Sequence, residues 1–253
     1  MPLGTVYNFR DFGGYAGAGG RPVVTGQLFR SAHLANLSDA DMAAIDALPI
    51  GIVADFRHAP ERAKQPSRWS GRARVLTQPA PVETQTHAPH EAFARDELHS
   101  ASDARRYMLE SYTRRMHDPS FVELHRRALL AMADDEGENG VLVHCAAGKD
   151  RTGTFVALVQ SLLGVSDADI LDDYMLTETA VNIEAILEPA AQMFSERYGR
   201  TITADAIRPM FGVDADYLKA SLDQMGDAES YARNTLGLDD LQLSALRRRY
   251  LTA

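Results

Sequence analysis

Two short apolar runs stand out along the chain. Ile50-Gly51-Ile52-Val53-Ala54 closes on Asp55, and Val141-Leu142-Val143 closes on His144. Runs without polar alternation predict strands buried on both faces. Residues 27–30 predict a further short strand, and 72–76 another. Elsewhere the apolar positions recur at helical spacing. Ser38 with Asp41 forms a capping pattern that opens a helix to about Leu48. Residues 102–116 predict a helix. Asp118-Pro119 opens another, with Phe121, Leu124, Ala128 and Met132 on one face. A helix over 151–163 stops at Gly164, Ser166 with Asp169 caps the next, and further helices break at Gly199, Pro209, Gly226 and Gly237. The glycine-rich first 22 residues and the acidic stretch 134–140 read as turns, and 77–101 as a long loop holding a short helix at most. Helices alternating with a few buried strands predict an α/β fold, a mostly parallel central sheet flanked by helices.

Composition narrows the function classes. The chain has 253 residues, 45% of them hydrophobic, enough for one sizeable core. Its 26 basic and 35 acidic residues leave a net charge of −9, which argues against a general nucleic-acid binder but allows a local cationic pocket. The lone cysteine, Cys145, excludes an internal disulfide and a multi-cysteine metal site. His87, His90 and His99 share the long loop without a rigid frame, so no metal site is assigned to them, and no cofactor is expected. No apolar run suits a membrane span and the N-terminus lacks a secretory pattern. A cytoplasmic location is expected, with signal-less export left open.

The chemistry concentrates where the second apolar run ends. His144-Cys145-Ala146-Ala147-Gly148-Lys149-Asp150-Arg151-Thr152-Gly153 links a strand to a helix. Such a turn aims backbone N–H groups inward at a helix N-terminus and forms an anion nest. Ala146, Ala147, Gly148 and Lys149 then line the nest, and Arg151 offers a fork of donors to a phosphate. The same features favour thiolate over thiol at Cys145. A nucleophile beside a phosphate cradle can form a phosphocysteine and release it to water, Thr152 assisting the sulfur. A nucleotide-binding loop is excluded, because Val143 and Asp150 stand where glycine and Ser or Thr are needed. A sulfurtransferase loop fits the cysteine but not Arg151-Thr152-Gly153. The bland alternatives are a buried structural cysteine and a phosphate-binding module without turnover.

The segment 144–153 resembles the signature of cysteine-dependent protein tyrosine phosphatases. Asn8-Phe9-Arg10-Asp11-Phe12-Gly13-Gly14, Phe29-Arg30-Ser31, Asp55-Phe56-Arg57 with Glu61, the Lys149-Asp150 pair and the stretch 231–251 narrow the likeness to the bacterial subgroup typified by mycobacterial tyrosine phosphatase B. The resemblance implies one domain over 1–253 with the α/β phosphatase fold. It implies phosphotyrosine hydrolysis, sometimes extended to phosphoinositides. It also maps the general acid onto Asp150, whose alternative is a helix cap; the acid is favoured, since a bare carboxylate would repel phosphate. The Trp-Pro-Asp device of many such enzymes is absent, the only tryptophan being Trp69. Asp55 is expected to orient Arg151 or act as a second acid, or else to form a salt bridge with Arg57 or another arginine. Arg57 and Glu61 are expected to pair with each other. Lys149 is expected either to meet a second substrate phosphate or to stand solvated. Arg10 with Asp11, and Arg30 with His33, are expected to brace the loop, or else to be ordinary surface pairs. Residues 177–226 are expected to form a helical lid, or simply extra core.

Overall fold

A computed structural model describes residues 3–69, 72–78, 99–134 and 140–252. Among the described residues, five strands form one sheet: β1 (Arg10–Asp11), β2 (Leu28–Ser31), β3 (Ile50–Asp55), β4 (Arg74–Thr77) and β5 (Gly140–His144), in the order β1-β2-β5-β3-β4. Only the β1–β2 pair is antiparallel. The two apolar runs became the centre of the sheet, with every residue of β5 buried. Alternate residues of β5 face opposite ways. Val141 and Val143 join the large core, while Leu142 joins a smaller one with Phe29, Val53, Leu37 and Ile45.

Register places the site. Ser31 pairs with His144, His144 with Asp55, and Asp55 with Thr77, so four parallel strands end on one line. α/β proteins bind ligands at the carboxyl ends of such strands. Cys145 is the first residue past that line.

The helices are α1 (Asp39–Asp46), α2 (Ala59–Lys64), α3 (Ala101–Arg115), α4 (Pro119–Asp134), α5 (Asp150–Leu162), α6 (Asp167–Met175), α7 (Thr177–Ala180), α8 (Ile183–Tyr198), α9 (Ala204–Phe211), α10 (Ala215–Met225), α11 (Ala228–Asn234) and α12 (Asp240–Tyr250). The expected caps form: Ser38 accepts from the Asp41 amide at 3.1 Å and Ser166 from the Asp169 amide at 3.2 Å. Asp41 does not close a capping box. Its carboxylate turns to the Gly4 and Thr5 amides.

Two elements escaped the sequence pattern. β1 has two residues in a glycine-rich tract and exists only because β2 lies beside it. α2 is short, and Glu61 supports its start by accepting from the His58 amide at 2.7 Å. One expected break is absent: α9 continues through Pro209 to Phe211. A proline there removes one helical bond and leaves the apolar face of Ile207 and Met210 free to bury. Of the long loop, residues 79–98 lie outside the described residues, with His87 and His90. So do 135–139 of the acidic turn.

Candidate active site

The loop from Cys145 to Arg151 is shaped from outside. The Ala146 carbonyl accepts from the His33 amide at 3.1 Å. The Gly148 carbonyl accepts from Asn8 Nδ2 at 2.8 Å and from Arg30 Nη2 at 3.0 Å, and Asn8 also reaches the Ala147 carbonyl at 3.4 Å. A planar peptide puts its N–H opposite its C=O. Turning these three carbonyls outward therefore turns the amides of Ala147, Gly148 and Lys149 the other way, and none of these amides meets an acceptor among the described residues. Gly148 has φ +68°, and a Cβ there would stand 2.3 Å from the Ser31 carbonyl group. Only glycine fits. Asn8 itself sits at φ 59°, a conformation that asparagine tolerates better than most residues.

Arg151 is held by its end. Nη1 and Nη2 donate to Glu61 at 2.5 and 2.8 Å, and Nη1 also donates to the Phe56 carbonyl at 3.1 Å. A guanidinium has five N–H groups. Those three bonds leave the Nε–H and the second Nη2–H, which form one parallel fork suited to a phosphate. Burial opposes the charge of Arg151, but the Glu61 carboxylate outweighs it and holds the pKa above the usual value. Glu61 is likewise opposed by burial, yet Arg151 brings it down to about 2.

This pairing corrects the expectation for Arg57. Arg57 does not meet Glu61. It binds Asp55 through Nε at 2.9 Å and Nη2 at 2.7 Å, with both residues buried. Asp55 thus has both oxygens occupied by arginine and is absent from the cavity lining, and the orientation of Arg151 falls to Glu61. Only Phe56 separates Asp55 from Arg57, close enough for the β3 end to fold back on itself. Glu61 reaches Arg151 only because α2 starts beside the loop.

The cavity over the loop measures about 480 Å³ and is lined by Cys145, Ala146, Ala147, Lys149, Asp150 and Arg151 at one side. Ile183, Ile186, Met193 and Phe194 of α8 and Met210 and Phe211 of α9 line the other side. Of the segment 177–226, the part up to 211 lines this cavity, while α10 packs against α3 and α5. Cys145 is buried at the cavity base and is not in a disulfide. Thr152 is fully buried, and its hydroxyl has no partner among the described residues.

Asp150 is the first residue of α5 but does not cap it. Its Oδ1 accepts from the Tyr112 hydroxyl at 2.6 Å and lies 3.2 Å from Lys149 Nζ. Burial pushes its pKa up, but Lys149, Arg115 and Tyr112 together hold it below the usual carboxylate value. Lys149 is neither solvated nor free. It is buried and donates to the Gly212 carbonyl at 2.7 Å.

The bracing residues differ in part from expectation. Arg30 supports the loop, but its ion-pair partner is the buried Asp173 at 2.5 Å, not His33. Arg10 also goes to Asp173, at 3.2 Å, while Asp11 accepts from the Gly13 amide. Asp173 lies 143 residues from Arg30, a separation no local pattern reveals. Tyr112 was legible only as a buried position, since Ala104, Met108 and Tyr112 share one stripe of α3. Trp69 is a core residue that donates to Asp46 at 2.6 Å.

The match to known proteins covers nearly the whole chain. Residues 1–252 fit the tyrosine phosphatase family. The chain belongs to that family. A Cupriavidus necator relative, provisionally named a tyrosine-protein phosphatase, is 32% identical over 248 residues, covering 96% of this chain and 86% of its own length. The triple specificity protein phosphatase PtpB of Mycobacterium tuberculosis is 32% identical over 243 residues, 85% of this chain and 84% of its own. A tyrosine-protein phosphatase of Nostoc commune is 27% identical over 228 residues, 86% and 72% of the two chains. This tyrosine phosphatase has no helix among its described residues long and apolar enough to cross a membrane.

Proposed function

We propose that the protein hydrolyses phosphotyrosine in proteins by a two-step, metal-independent reaction through phosphocysteine. The amides of Ala147 to Lys149 and the free fork of Arg151 receive the phosphoryl oxygens. Cys145 Sγ, as thiolate, attacks phosphorus. The P–O bond to the tyrosine breaks, and Asp150 gives its proton to the leaving oxygen. A water then attacks the phosphocysteine, Asp150 takes the proton from that water, and the P–S bond breaks as the Thr152 hydroxyl hydrogen-bonds the departing sulfur. A carboxylate held at low pKa suits the second, base step, and the dianionic substrate raises its proton affinity for the first.

The observation that supports this reading is that, in the loop that begins at Cys145, three amides and one guanidinium fork have no acceptor among the described residues. The apolar wall of Ile186, Met193, Phe194 and Phe211 suits an aromatic ring. Lys149 is engaged by Gly212 and Asp150, so its ammonium does not stand ready for a second phosphate.

The test is Cys145→Ser, assayed on a phosphotyrosyl peptide with rapid quenching to trap a phosphoenzyme. Turnover should fall at least about a thousandfold and the trapped phosphoenzyme should vanish, while peptide binding persists. Activity near that of the wild type in this variant would end the covalent mechanism. Activity should also be indifferent to EDTA; inhibition by the chelator removes metal independence.

A further inference from the structure

The carboxylate of Asp150 is held on one side. Tyr112 and Lys149 both address Oδ1, whereas Oδ2 has no partner among the described residues. Tyr112 belongs to α3 and is fully buried. Its hydroxyl lies 2.8 Å from that of Tyr174 on α6, which is also buried. Proton counting fixes the direction of this chain. An ionised carboxylate only accepts, so Tyr112 spends its single O–H on Asp150 and must accept from Tyr174. Burial raises the pKa of both phenols, which therefore remain donors through the range in which enzymes work. Lys149 is fixed in turn by the Gly212 carbonyl.

The chain stays intact in both protonation states of Asp150. With the proton on Oδ2, Oδ1 is still a carbonyl oxygen that accepts from Tyr112. With the proton on Oδ1, the chain would have to reverse, Oδ1–H donating to Tyr112 and Tyr112 to Tyr174, and the buried Tyr174 hydroxyl would be left with no acceptor among the described residues, a costly arrangement. We propose that Tyr112, backed by Tyr174, is a positioning residue that confines the exchangeable proton of Asp150 to Oδ2. The inference rests on the assignment of Asp150 as proton donor. Its consequence is that the donor oxygen is chosen before substrate arrives, so proton transfer needs no rotation of the carboxyl group.

The test compares kcat/KM on phenyl phosphate, whose leaving group needs a proton, with that on 2,4-dinitrophenyl phosphate, whose leaving group does not. Wild type, Tyr112→Phe, Tyr174→Phe and Asp150→Asn are measured side by side. Tyr112→Phe should lose about tenfold on phenyl phosphate and less than about twofold on the dinitrophenyl ester. Tyr174→Phe should show the same selectivity at smaller size, and it carries the test if Tyr112→Phe does not fold. Equal losses on both esters, or no loss on either, overturn the proposal, because a packing defect has no preference for leaving group. Asp150→Asn separates the two levels of the argument. If it shows no leaving-group selectivity, the assignment of the acid fails and the positioning role falls with it. If it is selective while the tyrosine variants are not, the positioning role alone is wrong.

Discussion

The two walls of the cavity are held in different ways. The loop wall is fixed by directional bonds: Asn8 and Arg30 grip its carbonyls, and Glu61 and the Phe56 carbonyl grip Arg151. The helical wall of α8 and α9 presents apolar side chains, among them Met193, which is half exposed. Few polar ties anchor it at its ends: the Val213 amide donates to Glu178 at 2.8 Å, Lys149 donates to the Gly212 carbonyl, and Arg208 pairs with Glu184. Hydrogen bonds demand a distance and an angle, whereas apolar contact demands only proximity. In the proposed reading, one wall therefore selects a single tetrahedral anion, and the other admits varied shapes of similar polarity.

The contrast can be broken most severely at Gly148. In Gly148→Ala a side chain must displace the Ser31 carbonyl while φ stays positive. Activity on any aryl phosphate should fall by about a hundredfold or more, with a lowered melting temperature. Near-normal activity would show that the loop wall is not rigid.

His125 tests the support beneath that wall. It is fully buried among Phe56, Phe121 and Phe155, with neither ring nitrogen partnered among the described residues. Burial, with a smaller contribution from Arg115, lowers its pKa from 6.5 to about 3. The folded protein thus requires the neutral ring. That contribution is fully present above pH 6.5 and is lost as pH falls toward 3. At pH 4 the loss is about 3 kcal/mol. His125→Leu should recover most of it, read as a gap in denaturant midpoint between the proteins at pH 4 that closes at pH 7. Equal acid sensitivity in both would exclude His125 as the cause.

Glu61→Gln should weaken the hold on Arg151 and cut kcat/KM about tenfold on small and peptide substrates alike. Asp55→Asn is the matched control, since it disturbs another buried arginine that lies outside the cavity lining. It should lower the melting temperature and leave the ratio between phenyl and dinitrophenyl esters unchanged. A changed ratio would return Asp55 to the acid role.

The smallest effect is expected on the apolar wall. Met193→Ala should change kcat/KM for phenyl phosphate by less than about twofold and raise KM for a phosphotyrosyl peptide about threefold. A loss on both substrates of the size expected for Glu61→Gln would mean that the two walls act as one unit.

The sequence by itself determined the centre of the molecule. Two apolar runs became the inner strands β3 and β5, most helix starts followed their caps, and the segment from Cys145 to Arg151 became a loop between strand and helix. These are local features, decided by neighbouring residues and by burial on both faces. Only tertiary structure decided the partners. Glu61 belongs to Arg151, where the pattern suggested Arg57, and Asp55 takes Arg57, one of the partners the pattern left open. Asp173 joins Arg10 and Arg30, and Tyr112 meets Asp150 across 38 residues. A charge has no intrinsic preference among opposite charges; the fold chooses by bringing one within about 3 Å and burying it there, and no spacing along the chain encodes that distance.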